Sequence, residues 1–290
     1  MTSGAFARYG PDRTIVWLAS YPKSGSTWLR ALFTAYLCPD EPLDLNALLG
    51  APSVFDRALL DDHAAIDSAT MTLEELIPYQ ASLHRAFAGG GPQPNLVKTH
   101  SAFTENRDGT RLFPAEASAG AIVIVRDPRD VVSSYAHHEG KTKDAIIARM
   151  ADEQAAQDCW ADRISKAVPQ RLAGWSTNVS SWLDQDHIPV CLVRYENLSA
   201  ETEETFARAL EFCGIAPDRS AVSAAVEACR FERLAAAEAK AGFSERPAGG
   251  RSFFRSGEVG GSKGELTADQ ERAVRSQHRA TMDRLDYLED

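Results

Sequence analysis

The sequence predicts an α/β protein, one domain over residues 1–290, with a central parallel sheet flanked by helices. Three observations carry that expectation. Short apolar, β-rich runs at residues 15–19, 96–98, 121–125 and 190–193 stand between stretches of helical spacing, such as 172–183, 202–213 and 268–288. The run Ala121-Ile122-Val123-Ile124-Val125 is apolar at every position, the pattern of a strand buried on both faces. Lys23, His100, Arg126 and Tyr195 each fall just past a predicted strand, and such sheets bind ligands at the carboxyl ends of their strands. Residues 1–13 precede the first strand and are expected to form a flexible N-terminal segment.

The first strand runs into Tyr21-Pro22-Lys23-Ser24-Gly25-Ser26-Thr27-Trp28, followed by helical apolar spacing at Leu29, Leu32, Phe33 and Tyr36. Backbone N–H groups at a helix N-terminus, the positive end of its dipole and a lysine together make an anion site. The hydroxyls of Ser24, Ser26 and Thr27 add donors, and Gly25 lets the backbone approach closely. The bland alternative is an ordinary turn capped by a Ser or Thr side chain. A Walker A loop does not fit, because there the lysine follows the second glycine.

The second strand ends in Lys98-Thr99-His100, where an imidazole at the same rim suits a general base. After the third strand, Asp127 and Pro128 read as the cap and first turn of a helix. Arg126 and Ser134, eight residues on, can reach one phosphate from two sides. The competing reading pairs Arg126 with Asp127 or Asp130 in a surface ion network of little worth. Near the end, Thr267 and Gln270 form a capping-box pattern, with Val274, Met282, Leu285 and Leu288 spaced for the core.

Composition narrows the choice. A net charge of −10 argues against nucleic-acid partners. No apolar run reaches the roughly 18 residues of a membrane span, and no signal-peptide layout is present, so cytoplasm is the expected compartment. The five cysteines lack ligand spacing and read as reduced and mostly buried. No metal is expected; His137 and His138 are adjacent and on a helix would diverge by about 100°. The Pro/Gly-rich stretches 89–94 and 246–250 read as loops.

Tyr21 to Trp28 closely resembles the 5′-phosphosulfate loop, Y-P-K-[SA]-G-[ST]-T-W, of the cytosolic-type sulfotransferases, here of bacterial type. That family uses 3′-phosphoadenosine 5′-phosphosulfate (PAPS) on a P-loop NTPase-like fold. The resemblance continues in order through Lys98-Thr99-His100, Arg126 with Ser134, Tyr195-Glu196-Asn197-Leu198, Phe231, and Arg255 to Lys263. It implies PAPS as cofactor, adenosine 3′,5′-bisphosphate (PAP) as product, and no metal. By the same resemblance Lys23, Ser24, Gly25, Ser26 and Thr27 hold the 5′-phosphate, and His100 deprotonates the acceptor. Arg126 and Ser134 hold the 3′-phosphate, Tyr195 contacts the adenine, and Trp28 and Phe231 sandwich it. Arg255, Ser256 and Gly257 belong to a glycine-rich flap over the 3′-phosphate.

The chain departs from the family in places. Ser101-Ala102 replace Leu-Pro after the histidine, and Cys229-Arg230 replace hydroxyl residues. Ser256 replaces a lysine and Ser262 a tryptophan, with Arg251 the neighbour placed to compensate. Ala268 and Arg272 break the mammalian dimer motif, which leaves oligomeric state open. The expected acceptor is a hydroxyl or amine of a small molecule, lipid or natural product. Residues 43–87, 137–169 and 239–254 are expected to line its pocket; their Phe55, Phe87, Trp160, Phe243 and Phe253 suit an apolar alcohol or are simply core. The alternatives are a Mg²⁺/ATP-dependent small-molecule kinase and a non-catalytic nucleotide-binding scaffold.

Overall fold

Strand β1 (Ile15–Ser20) shows how the sheet divides the core. Its Ile15, Trp17 and Ala19 enter one apolar cluster while Val16 and Leu18 enter another on the opposite face. A strand covered on both faces cannot alternate apolar and polar residues, which explains the continuous apolar runs. The computed structural model describes residues 14–51, 53–88, 94–159, 163–246 and 251–288. The segments 1–13, 89–93 and 247–250, and Trp160, lie outside the described residues.

After β1 come α1 (Ser26–Leu37), α2 (Arg57–Ala64) and α3 (Leu73–Ala88), then β2 (Asn95–Thr99) and β3 (Ser118–Val125). Next are α4 (Pro128–Glu139), α5 (Lys143–Met150), the two-residue strands β4 (Ala156–Gln157) and β5 (Gln170–Arg171), and α6 (Trp175–Asp184). Strand β6 (Val190–Arg194) leads into α7 (Tyr195–Ala200), α8 (Thr202–Phe212), α9 (Arg219–Ala228) and α10 (Phe231–Ala241). The described chain closes with α11 (Ala268–Gln277) and α12 (Arg279–Arg284).

The main sheet has the order β2-β1-β3-β6, parallel throughout. Trp17, Val97, Val123 and Trp175 belong to the cluster on one face, and Leu29, Ile122, Phe206 and Leu234 to the cluster on the other. All four predicted strands are present, and the α/β expectation of a parallel sheet between helical layers holds.

The differences have local causes. The helix expected from residue 172 begins at Trp175, because Gln170 and Arg171 pair with β4 and Gly174 forms the cap. The helix expected over 268–288 breaks at His278, whose ring packs on Trp175 at 5.3 Å and meets Ser176 Oγ at 3.0 Å. The Thr267–Gln270 capping box is formed, and Val274, Met282 and Leu285 are buried. The cysteines are free, but only Cys213 and Cys229 are buried, and Cys159 is exposed.

Ile122, fully buried at the centre of the sheet, sets a direct test of the packing. Ile122→Val is expected to cost about 1 kcal/mol, read as a lower urea midpoint at unchanged slope. No shift of the midpoint would contradict the two-faced burial.

Candidate functional site

Four strand ends deliver four side chains to one cavity of about 430 Å³: Lys23 after β1, His100 after β2, Arg126 after β3 and Tyr195 after β6. Gly25, Ser26, Thr27, Trp28, Ser134, Phe231, Arg255, Ser256 and Gly257 line the same cavity. Of the predicted site residues Ser24 alone is not on its wall; it is fully buried, with a hydroxyl that has no hydrogen-bond partner among the described residues.

The β1–α1 turn is shaped for an anion. Lys23 has φ 71° and Gly25 has φ 110°, so two residues curl the backbone through the left-handed region. A Cβ at residue 25 would stand 2.6 Å from Tyr195 Cδ2, so a glycine is required twice over. Gly25 is the N-cap of α1 and no side chain caps this helix, which rules against the ordinary Ser/Thr-capped turn. The first N–H groups of α1 therefore open towards the cavity without side-chain partners.

Lys23 Nζ lies 3.7 Å over the Phe253 ring and 3.5 Å from His138 Nδ1. Burial and the nearby Lys98 charge pull its pKa from 10.5 down to about 7. An anion in the turn would restore the ammonium. The same burial, with Lys23 and Lys98 adding to it, takes His138 to about 4 and keeps it neutral.

His100 Nδ1 donates to the Ser20 carbonyl at 2.7 Å. A carbonyl only accepts, so this contact places the proton on Nδ1 and leaves the lone pair on Nε2. The backbone is clamped as well: His100 N donates to Gln170 Oε1 at 2.9 Å, and Asn178 Nδ2 donates to the His100 carbonyl at 3.0 Å. Burial and Lys98 depress its pKa to about 3, so the imidazole is neutral and its Nε2 lone pair is free to accept a proton.

Arg126 lies 4.2 Å over the Tyr195 ring and donates to the Glu258 carbonyl at 2.8 Å; its Nε is buried with no hydrogen-bond partner among the described residues. The competing ion pair is present but weak in geometry, at 3.5 Å to Asp130. Asp130 instead pins the flap, accepting from Gly260 N and Ser262 N, each at 2.8 Å. Tyr195 Oη donates to the Gly257 carbonyl at 2.9 Å, and a Cβ on Gly257 would collide with Phe231. Trp28 Nε1 donates to the Cys229 carbonyl at 3.1 Å, which ties the turn to the segment carrying Phe231. Arg255 pairs with Glu265 at 2.7 Å. Arg251 leans on the C-terminal end of α4 and does not line the cavity, so it does not compensate for Ser256.

Sequence reasoning missed Glu245. Its carboxylate meets Lys98 Nζ at 2.8 Å, Arg30 Nη1 at 2.6 Å and Thr27 Oγ1 at 3.3 Å. Burial would raise its pKa, but Lys98 and Arg30 outweigh that and hold it near 2. Arg30, with a side chain 4 % exposed, was the available signal, an arginine within the apolar α1. Of the five aromatics expected at the acceptor, Phe55 and Phe243 are core, Phe87 packs on it, and Phe253 lines the cavity.

Comparison with protein families matches residues 13–286 to the sulfotransferase domain. The chain belongs to the sulfotransferase family. Cytosolic sulfotransferase 7 of Arabidopsis thaliana is 25% identical over 282 residues, covering 92% of this chain and 78% of that one. Flavonol 3-sulfotransferase of Flaveria bidentis is 23% identical, covering 87% of this chain and 76% of its own. Among solved structures, a mouse sulfotransferase complexed with PAP aligns with TM-score 0.58 at 19% identity, covering 94% of this chain and 85% of that one. Retinol dehydratase in complex with androsterone and inactive cofactor PAP aligns with TM-score 0.61 at 16% identity, covering 93% and 80%. The fold is thus that of the sulfotransferases, and the kinase and scaffold alternatives draw no support from these likenesses. No described helix is long and apolar enough to cross a membrane.

The buried Lys23 gives a pH test with a definite sign. Its folded pKa, about 7, lies below its ordinary 10.5, so between these values the unfolded chain holds more protons. Stability therefore rises with pH across that window. Lys23→Met is expected to raise the thermal midpoint most at about pH 6, with the gain shrinking towards about pH 10. A gain that is absent, or that grows with pH, would contradict the buried cation.

Proposed function

We propose that the protein transfers the sulfo group of PAPS to a hydroxyl or amine of a small-molecule acceptor and releases PAP. The observation that carries this reading is the convergence on one cavity of an uncapped helix turn with Lys23, a neutral His100 and the Arg126–Ser134 pair. The residues fit the nucleotide. The orphan hydroxyl of Ser24, the cradle at Gly25 and the partnerless Arg126 Nε are groups that a bound polyanion would satisfy.

Lys23, Ser24, Gly25, Ser26 and Thr27 would hold the 5′-phosphate, and Arg126 with Ser134 the 3′-phosphate. Trp28, Tyr195 and Phe231 would hold the adenine, with Arg255, Ser256 and Gly257 closing over it. When bound, PAPS supplies an activated sulfo group. His100 Nε2 takes the proton from the acceptor hydroxyl or amine as it attacks. The Nδ1–H bond to the Ser20 carbonyl fixes the tautomer, holds the ring in place and offsets part of the loss of basicity that burial causes. Lys23 and the α1 N–H groups would offset the charge that grows on the departing phosphate oxygen, and a preorganised cation lowers such a barrier. Lys98, held by Glu245, adds a second fixed charge beside His100.

His100→Ala tests the assignment of the base. Turnover of PAPS with a phenol acceptor is expected to fall at least about 100-fold while PAP affinity stays within about threefold of the parent. A variant that keeps most of its rate would overturn the role of His100.

A further inference from the structure

Resting on the sulfotransferase reading, we infer that His138 and Phe253 are positioning residues, an uncharged clamp that holds the Lys23 ammonium ready for the nucleotide. Both line the cavity beside Lys23, His138 from α4 and Phe253 from the segment after α10. Lys23 Nζ stands 3.7 Å from the centroid of the Phe253 ring and 3.5 Å from His138 Nδ1. The two rings meet edge to face, at 89°.

The ring face is itself held in place. Glu238 is buried, and its carboxylate accepts from Phe253 N at 2.6 Å and from Phe254 N at 3.0 Å. Arg246 pairs with the same carboxylate at 3.2 Å. Phe243 and Phe254 pack against the Phe253 ring, with centroids 4.9 Å and 5.2 Å away. A buried carboxylate tied to two successive N–H groups fixes the backbone at residue 253, and the packed rings fix where its face points.

Both partners favour an ammonium over a neutral amine. A ring face attracts a cation, and an imidazole with its proton on Nε2 offers an Nδ1 lone pair to an ammonium N–H. Neither carries negative charge, since His138 stays neutral. A carboxylate in the same place would also favour the ammonium, but it would repel the polyanion that Lys23 has to meet. Lys98 has Glu245 at 2.8 Å, whereas among the described residues no carboxylate oxygen lies within 4.0 Å of Lys23 Nζ. The other charges act from farther off: Lys98 and Arg126 oppose the Lys23 charge, while Glu245 and Glu238 support it. His100 is neutral. All of these are common to the parent and to the variants below.

The test is the affinity for PAP as a function of pH, read by calorimetry from about pH 6.5 to about pH 9. Free Lys23 gives up its proton at about 7, so affinity falls as pH rises through that value. His138→Leu and Phe253→Leu each remove one partner and are expected to move the fall down by about one pH unit. Their loss of affinity against the parent then grows from about threefold at the acid end to about tenfold at the alkaline end. His138→Asn is close to leucine in size but puts an oxygen near the Nδ1 position, and is expected to stay within about twofold of the parent throughout. A merely structural role would give a loss of one size at every pH. That result, no loss in either leucine variant, or an Asn variant as weak as His138→Leu overturns the clamp and spares the transferase reading. Failure of the parent protein to bind PAP overturns both.

Discussion

The N-terminus of α1 has no side-chain cap, and the architecture around the cavity follows from that vacancy. Unsatisfied N–H groups at a helix start are ordinarily covered by a Ser, Thr or Asp side chain. Here Gly25 occupies the capping position because the Tyr195 ring stands where a Cβ would go. Tyr195 in turn reaches Gly257, and Gly257 packs against Phe231, so one aromatic ring links the turn, the β6 end and the flap. The two glycines are a single constraint felt at two ends. Parallel topology then brings the β2 and β3 ends beside this turn, which is how His100 and Arg126 reach the cavity.

Charge is the second organising term. Lys23 and Lys98 are both buried, and the Lys98 charge lowers the affinity of Lys23 for a proton. Glu245 offsets part of that repulsion by pairing with Lys98 and with Arg30 beneath it. Lys98 keeps a carboxylate, whereas among the described residues Lys23 meets a neutral histidine and a ring face and no carboxylate within 4.0 Å. A site preorganised in this way sacrifices folded-state stability for binding, the usual trade at strained polar centres.

Much of this was legible because burial on both faces writes itself into the strands as unbroken apolar runs. The ends of those runs then located Lys23, His100, Arg126 and Tyr195 without any knowledge of the packing. Glu245 was not legible: it sits beyond the end of α10, and its partners are 215 and 147 residues away in sequence. Gln170 and Asn178, which clamp the His100 backbone, are likewise defined by tertiary contact alone. The acceptor wall stayed open between lining and core because aromatic content in a variable segment does not distinguish the two. Phe55 and Phe243 are at 1% and 7% exposure, while the polar residues of α4 and the β4 region face the cavity instead. The break at His278 was hidden because apolar spacing continues across it; a histidine turned towards Trp175 and Ser176 leaves no trace in periodicity.

The most direct measurement is a calorimetric titration of the protein with PAP and with AMP, without magnesium, repeated for Arg126→Ala. The two nucleotides differ by the 3′-phosphate, which is the group assigned to Arg126 and Ser134. The account predicts that PAP binds at least about 100-fold more tightly than AMP and that Arg126→Ala removes most of the difference. Equal affinity for the two nucleotides, or binding only of ATP with magnesium, would contradict it.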